Sequence, residues 1–381
     1  RDLLMAAWAP AKAAADADAI SLQEMLHADG ITEALAPWDW HYYADKRRKA
    51  LHNLDEEELK PYFQLDQMIE AAFDVATRLF GLSFKSITLD WFLDDARAWE
   101  VTRNGQHIAV FVGDYFARAS IRSGDWSSAM RAQIHFQNER SIVLNVCYFA
   151  KPPSGKPALL SYDDARTLFH EFGHALHQML SDVHYGSVSG TSVPRDFVEL
   201  PSQLYEHWLD VPEVLAKYAR HAETGEAMPQ DLLSRLLAAN TYDMGIQTDE
   251  YVASALVDLE FHTGEAPANS MAKQAEVLDS IGMPSAVVMR HATPHFAHVF
   301  SGGYYAASYY SYMWSEVMDA DAFAAFEEAG DAFDTKTAQA LEANILSTGG
   351  SKDPAELYTA FRGRLPGVEA LLKGRGFGTA A

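Results

Sequence analysis

The sequence predicts a mainly α-helical protein that carries one small β-sheet, and three observations lead there. Apolar residues recur at three- and four-residue steps up to about residue 95 and again from Asp163 onward. Between these stretches the pattern turns to short β-branched and aromatic runs around an Asn104-Gly105 pair. No internal repeat, long linker or low-complexity tract interrupts this order, although 318–330 is rich in alanine and acidic residues.

Taken in order, residues 1–95 read as a helical segment. Its clearest helix places Leu65, Met68, Ile69, Ala72, Phe73, Ala76 and Leu79 on one face, and Gly81 closes it. Residues 96–155 read as a small β-sheet region. "ARAWEVT" and "HIAVFVGDYFA" form a hairpin turning at Asn104-Gly105, and "RSIVLNVCYFA" is a further strand that stops at Pro152-Pro153. Residues 156–381 read as a second helical region, continuous with the rest. Helices are expected over 163–180, 196–210, 230–240, 246–262, 305–328 and 334–346.

Composition narrows the function. With 48% hydrophobic residues in 381, the chain can bury a sizeable core. A net charge of −23 argues against nucleic acid and anionic membrane surfaces, which would repel such a field. No apolar run reaches the ~18–20 residues that span a bilayer. The single cysteine, Cys147, excludes an intramolecular disulfide and suits a reducing, cytoplasmic setting, with a periplasmic one also compatible. The opening "RDLLMAAWAPAKAAADADA" only loosely resembles a signal peptide, because Pro10 breaks a short apolar part. A start at Arg1 reads as a fragment, leaving the true N-terminus open.

The stretch "TLFHEFGHALHQML" (167–180) carries the chemistry. At about 100° per residue, His174 falls about 40° from His170 and His177 about −20°, so the three share one stripe. Glu171 flanks His174, while Leu168, Phe172, Leu176 and Met179 face the other way, toward a core. Two imidazoles one turn apart can hold one Zn²⁺, and the adjacent glutamate can serve as general base without being a ligand. His177 lies two turns from His170, too far for a third ligand, and is expected beside the site or in solvent. The next helical segment, "RDFVELPSQLYEHWLD", follows a loop that Gly186 and Gly190 allow to bend. It offers Glu199, Glu206 and His207 as the third ligand, and spacing alone leaves Glu199 and Glu206 both open.

A second stretch, 294–317, holds His295, His298, the Gly302-Gly303 pair and five tyrosines. Tyr305, Tyr309 and Tyr312 fall at i, i+4 and i+7, one helical face. An aromatic core stripe would look like this. The glycine pair and clustered phenols equally suit a mobile element over a polar cleft, with a tyrosine hydroxyl donating to a developing oxyanion.

"TLFHEFGHALHQ", "SGTSVPRDFVELPSQLYEHW" and "HVFSGGYYAASYYSYMW" together resemble the thimet-oligopeptidase (M3) family of zinc metallopeptidases, and most of all its bacterial peptidyl-dipeptidases. "LKPYFQLDQMIEAAFDVATRLFGL" and "YFARASIRSGDW" match in order, so the resemblance covers nearly the whole chain. It implies the zincin-type catalytic region of a two-lobed helical peptidase, acting on short peptides. It also implies His170, His174 and Glu199 as zinc ligands, Glu171 as general base and acid, and Tyr312 as oxyanion donor. Tyr305, Tyr309 and His298 then lie near the substrate backbone, with Tyr304 the alternative to Tyr305. Strand 141–149 resembles the family's edge strand, open to an extended peptide. Relatives carry a long helical N-terminal half that is absent here, which raises a missing half or partner chain. Releasing dipeptides needs a group for the terminal carboxylate, and Arg290, Arg118 and Arg122 are the candidates.

Overall fold

The computed structural model describes residues 1–90, 93–121 and 123–378. Its contacts divide the chain into two compact units. The first collects Arg1–Leu54, Ser234–Val317 and the stretch from Gly367 onward, and the second holds Asp55–Leu233 and Met318–Pro366.

In the first unit, helix Asp2–Ala28 packs along helix Met244–Thr263. Gly245 makes this close approach possible, since a Cβ there would lie 2.6 Å from the Ala15 backbone nitrogen. Leu4, Ala7 and Trp8 bury themselves with Val252, Leu256, Val257, Met313 and Val317. Pro10 does not interrupt the first helix, which runs through it. Helix Pro37–His52 starts on proline, which its fixed φ favours, and ends at left-handed Asn53. Its Trp40 is fully buried beside Leu22 and Leu26.

The second unit holds a five-stranded sheet, β1 Leu82–Ile87, β2 Arg97–Arg103, β3 Gln106–Phe116, β4 Trp126–Arg131 and β5 Ser141–Phe149, in the order β1-β2-β3-β5-β4. The hairpin between β2 and β3 turns at Asn104-Gly105, both left-handed, as a two-residue turn requires. The sheet starts at Leu82, well before the change of pattern near Ala96. β1 follows the Gly81 helix stop directly, and its mostly solvent-facing residues give no apolar alternation to read. β3 and β5 pair in parallel, and β4 pairs antiparallel with β5. The expectation that 141–149 is an edge strand is therefore corrected. β5 has a neighbour on both sides, and the outer edge is the exposed β4.

Helix Tyr162–Met179 lies on this sheet. Phe172 inserts among Phe73, Phe84 and Phe111, with ring centroids 5.4, 5.8 and 5.2 Å away. Ser161 caps the helix through a reciprocal pair: its hydroxyl accepts from the Asp164 amide at 3.0 Å and Asp164 accepts from the Ser161 amide at 2.9 Å. Such a cap stabilises a helix by about 1 kcal/mol. Helix Leu200–Glu206 crosses it at Gly173, where a Cβ would lie 2.6 Å from both Pro201 O and Ser202 Cα. These are backbone atoms that cannot swing aside. The expected 305–328 helix begins only at Ser311, while 334–346 is an α-helix to Leu341 that loosens into a π turn over Glu342–Leu346. Among the described residues no helix is long and apolar enough to cross a membrane.

Gly173→Ala should lower stability by about 1–3 kcal/mol through overpacking. Thermal denaturation checks this, and an unchanged midpoint would contradict the close helix contact.

Candidate metal centre

The second unit brings His170, His174 and Glu199 together. One donor atom from each lies within 4.8 Å of the others. Glu199 Oε2 stands 3.0 Å from His174 Nε2 and 3.3 Å from His170 Nε2. Tetrahedral donors around a zinc ion at ~2.0–2.1 Å sit ~3.3 Å apart, so both glutamate–histidine spacings suit an ion of that size. Glu199 immediately precedes helix Leu200–Glu206, and the Gly173 contact holds this point against the histidine helix. The Ser202 hydroxyl lies 2.9 Å from Glu199 O and 3.2 Å from its Oε2, fixing the side chain's direction.

The two glutamates that spacing left open are both at the site, in different places. Glu206 Oε1 lies 2.6 Å from His170 Nδ1, on the ring nitrogen away from the triad. A carboxylate there holds the proton on Nδ1 and leaves Nε2 as the donor atom. Arg166 stands 3.5 Å from Glu206 and 3.8 Å from Asp210, balancing the charge behind the ring. His207, the third option, turns away: its Nε2 meets Asp319 at 2.7 Å and its ring stacks on Phe323 at 4.6 Å.

Burial works against charge on His170, but hydrogen bonds to Glu199 and Glu206 outweigh it and raise its pKa well above the usual value. Burial likewise opposes charge on Glu199, yet His174 and His170 hold its carboxyl well below the ordinary range. Glu171 goes the other way. It is 4% exposed, its Oε2 has no hydrogen-bond partner among the described residues, and burial raises its pKa against the pull of His170 and His174. One site therefore holds a carboxylate fixed as an anion and another inclined to accept a proton.

His177, expected beside the site or in solvent, is fully buried at 0% exposure. Neither ring nitrogen has a hydrogen-bond partner among the described residues, and burial depresses its pKa to about 3. It is a neutral core residue, on the histidine stripe by helical register only.

His298, Tyr305, Tyr309, Tyr312 and Arg290 lie in the first unit. The Tyr312 hydroxyl is 3.0 Å from His298 Nε2. The His298 ring meets Tyr305 at 4.3 Å and Tyr309 at 5.3 Å, and Tyr305 lies parallel to Tyr312. The cluster forms, but not as a helical stripe, because 305–310 are turn residues and only Tyr312 is helical. Ala307 is left-handed at φ 56, and the Ala307 and Tyr309 amides donate to the Asp258 carboxylate instead of to a helix ladder. Tyr304 points outward, 74% exposed, whereas Tyr305 is inside the ring cluster. Arg290 is exposed and lowers the pKa of Tyr309, which burial raises. Arg118 is committed to Asp114 through two 2.7 Å contacts, and Arg122 lies outside the described residues. Sequence spacing could nominate Glu206 only as a ligand, and it gave no signal at all for Asp258.

The model for Peptidase family M3 matches residues 2–377. The dipeptidyl carboxypeptidase of Escherichia coli is 39% identical over 348 residues, covering 89% of this chain and 51% of that protein. Oligopeptidase A of the same organism is 39% identical over 362 residues, covering 92% and 53%. The chain thus spans about half the length of these relatives. Metallocarboxypeptidase 1 of Trypanosoma cruzi superposes with a TM-score of 0.54 at 13% identity, over 87% of this chain and 64% of that one. That likeness is one of fold, the zincin-like arrangement of helices on a small sheet. From its first helix to its last turn, the chain belongs to peptidase family M3.

Proposed function

We propose that this chain is the catalytic part of a zinc peptidase that shortens unstructured peptides by releasing dipeptides from their C-termini. The observation that carries the reading is Glu171: a buried carboxylate with an unpartnered oxygen, beside a His-His-Glu donor set spaced for one cation. A protein that only bound metal would have no use for such a group.

When bound, zinc supplies the Lewis acidity that lets water attack a peptide carbonyl near neutral pH. His170, His174 and Glu199 would hold it, and Glu206, on Nδ1 of His170, leaves Nε2 of that ring as the donor. Glu171 takes the proton of the attacking water at its free oxygen and passes it to the leaving amine. By the chain's family resemblance Tyr312 is assigned the donor to the oxyanion and Tyr305, Tyr309 and His298 the substrate backbone, while Arg290 is the candidate for the terminal carboxylate. An extended peptide can also pair with the open edge of β4, whose backbone faces solvent beyond β5. Cys147, buried as a free thiol, suits the cytoplasm.

Two other readings rest on specific findings. The equal identity to oligopeptidase A supports an oligopeptidase of the same chemistry as much as a dipeptidyl carboxypeptidase. The half-length match favours a catalytic part that needs a further half or partner chain before it acts.

Mass spectrometry of a free-C-terminus peptide, its amidated twin and a chelator control tests the main reading. Successive chelator-sensitive loss of dipeptides from the free peptide alone is the expected result. Internal products from both peptides would replace it with an oligopeptidase, and intact peptide with bound zinc would point to the missing half. Glu171→Gln should keep its zinc and lose about 10²–10⁴-fold in kcat, read by metal analysis beside turnover. Glu206→Gln should weaken zinc about 10–100-fold in chelator competition, with the fold unchanged by circular dichroism.

A further inference from the structure

The tyrosine turn is shaped from outside itself. Residues 305–310 interrupt what the sequence spacing offers as a helix, and nothing local forces the interruption: 305–310 contain neither proline nor glycine, and Ala307 adopts a left-handed φ that alanine disfavours. The cause lies about fifty residues earlier, on helix Met244–Thr263. Asp258 is fully buried. Its Oδ2 accepts from the Tyr309 amide at 2.8 Å, and its Oδ1 accepts from the Ala307 amide at 2.9 Å. His262 Nδ1 stands 2.7 Å from the same Oδ1 and 2.9 Å from the Asp258 carbonyl, two acceptors that place a proton on that nitrogen. Three donors on one buried carboxylate offset its loss of water.

Seven residues before Asp258, on the same face of the helix, stands Tyr251. Its hydroxyl donates to the Tyr309 carbonyl and accepts from the Met313 amide at 3.0 Å. Its ring lies against that of Tyr309 at 5.2 Å. Asp258 holds the N–H groups of the turn, and Tyr251 holds the carbonyl and the start of the next helix.

We infer that Asp258 and Tyr251 are positioning residues, a two-point clamp on the backbone of 305–313 that keeps this segment out of the helix and sets where Tyr305, Tyr309 and Tyr312 present their side chains. The clamp itself stands on the contacts above; its consequence for turnover rests on the peptidase reading of those tyrosines. A continued helix would put Tyr305, Tyr309 and Tyr312 in one line along a cylinder. The clamped turn instead gathers the three rings around His298.

Hydrogen exchange read by mass spectrometry on the full chain, with Asp258→Asn and Tyr251→Phe, tests this. Asparagine keeps the shape but replaces one acceptor oxygen with an N–H₂ that faces an amide donor. Exchange across 305–311 should speed up by about tenfold in Asp258→Asn, with helix 244–263 unchanged. Zinc content should stay the same, while for a short peptide KM rises and kcat falls, the latter through the displaced Tyr312 hydroxyl. If Asp258→Asn does not fold, Tyr251→Phe carries the same readout through the other hold. Faster exchange with unaltered kinetics would keep the clamp and remove the tyrosines from the substrate site. Unchanged exchange, or exchange that rises equally through helix 244–263, would overturn the clamp.

Discussion

The site depends on one close approach between two helices. At Gly173 the histidine helix has no side chain, and the backbone of Pro201 and Ser202 occupies the space a methyl group would take. Glu199 sits two residues before that point, so the distance from its carboxylate to the two imidazoles is set by backbone against backbone. Backbone contacts have few soft degrees of freedom, unlike a long side chain reaching across a gap. The Phe172 ring, one position earlier, pins the other side of the same helix into the aromatic core under the sheet. Metal donors and core packing are therefore successive residues of one turn.

Around this contact three glutamates of the same chemical type stand in three settings. Glu199 is drawn toward the anion by His174 and His170, Glu171 toward the acid by burial, and Glu206 is joined to the far side of the His170 ring with Arg166 close by. Environment alone separates them. This explains why spacing could not decide between Glu199 and Glu206. Both face the histidine helix, seven residues apart, and they differ only in which nitrogen of one ring they reach.

What the sequence made legible was local and periodic. The helix carrying His170 and His174, its apolar opposite face, the Gly81 stop and the Asn104-Gly105 turn all lie where three- to four-residue spacing or turn chemistry put them. What it did not reveal was set by distant partners. β5 pairs with β3 and β4 at once, and no residue within β5 announces that β4 will cover its outer side. His177 shares the histidine stripe yet is enclosed by tertiary packing. Tyr305, Tyr309 and Tyr312 had helical spacing and lost it to a carboxylate on another helix. Periodicity reports which way a side chain would point in a regular element, not whether that element survives its neighbours.

The first unit is stitched from three separated stretches of chain, and Arg375 from the last of them reaches Glu316 and the Thr248 hydroxyl in the middle one. Leu371 closes the same core beside Val252 and Val317. During synthesis, then, helix Asp2–Ala28 must wait through more than two hundred residues for its principal partner, and longer for the segment that seals it. Such long-range closure is slow. The second unit has most of its chain in one stretch, including the sheet and the metal donors, and can order first. On the ribosome His170, His174 and Glu199 would come together while the tyrosine cluster was still unfinished, so the two groups of residues form in separate steps of the chain's folding.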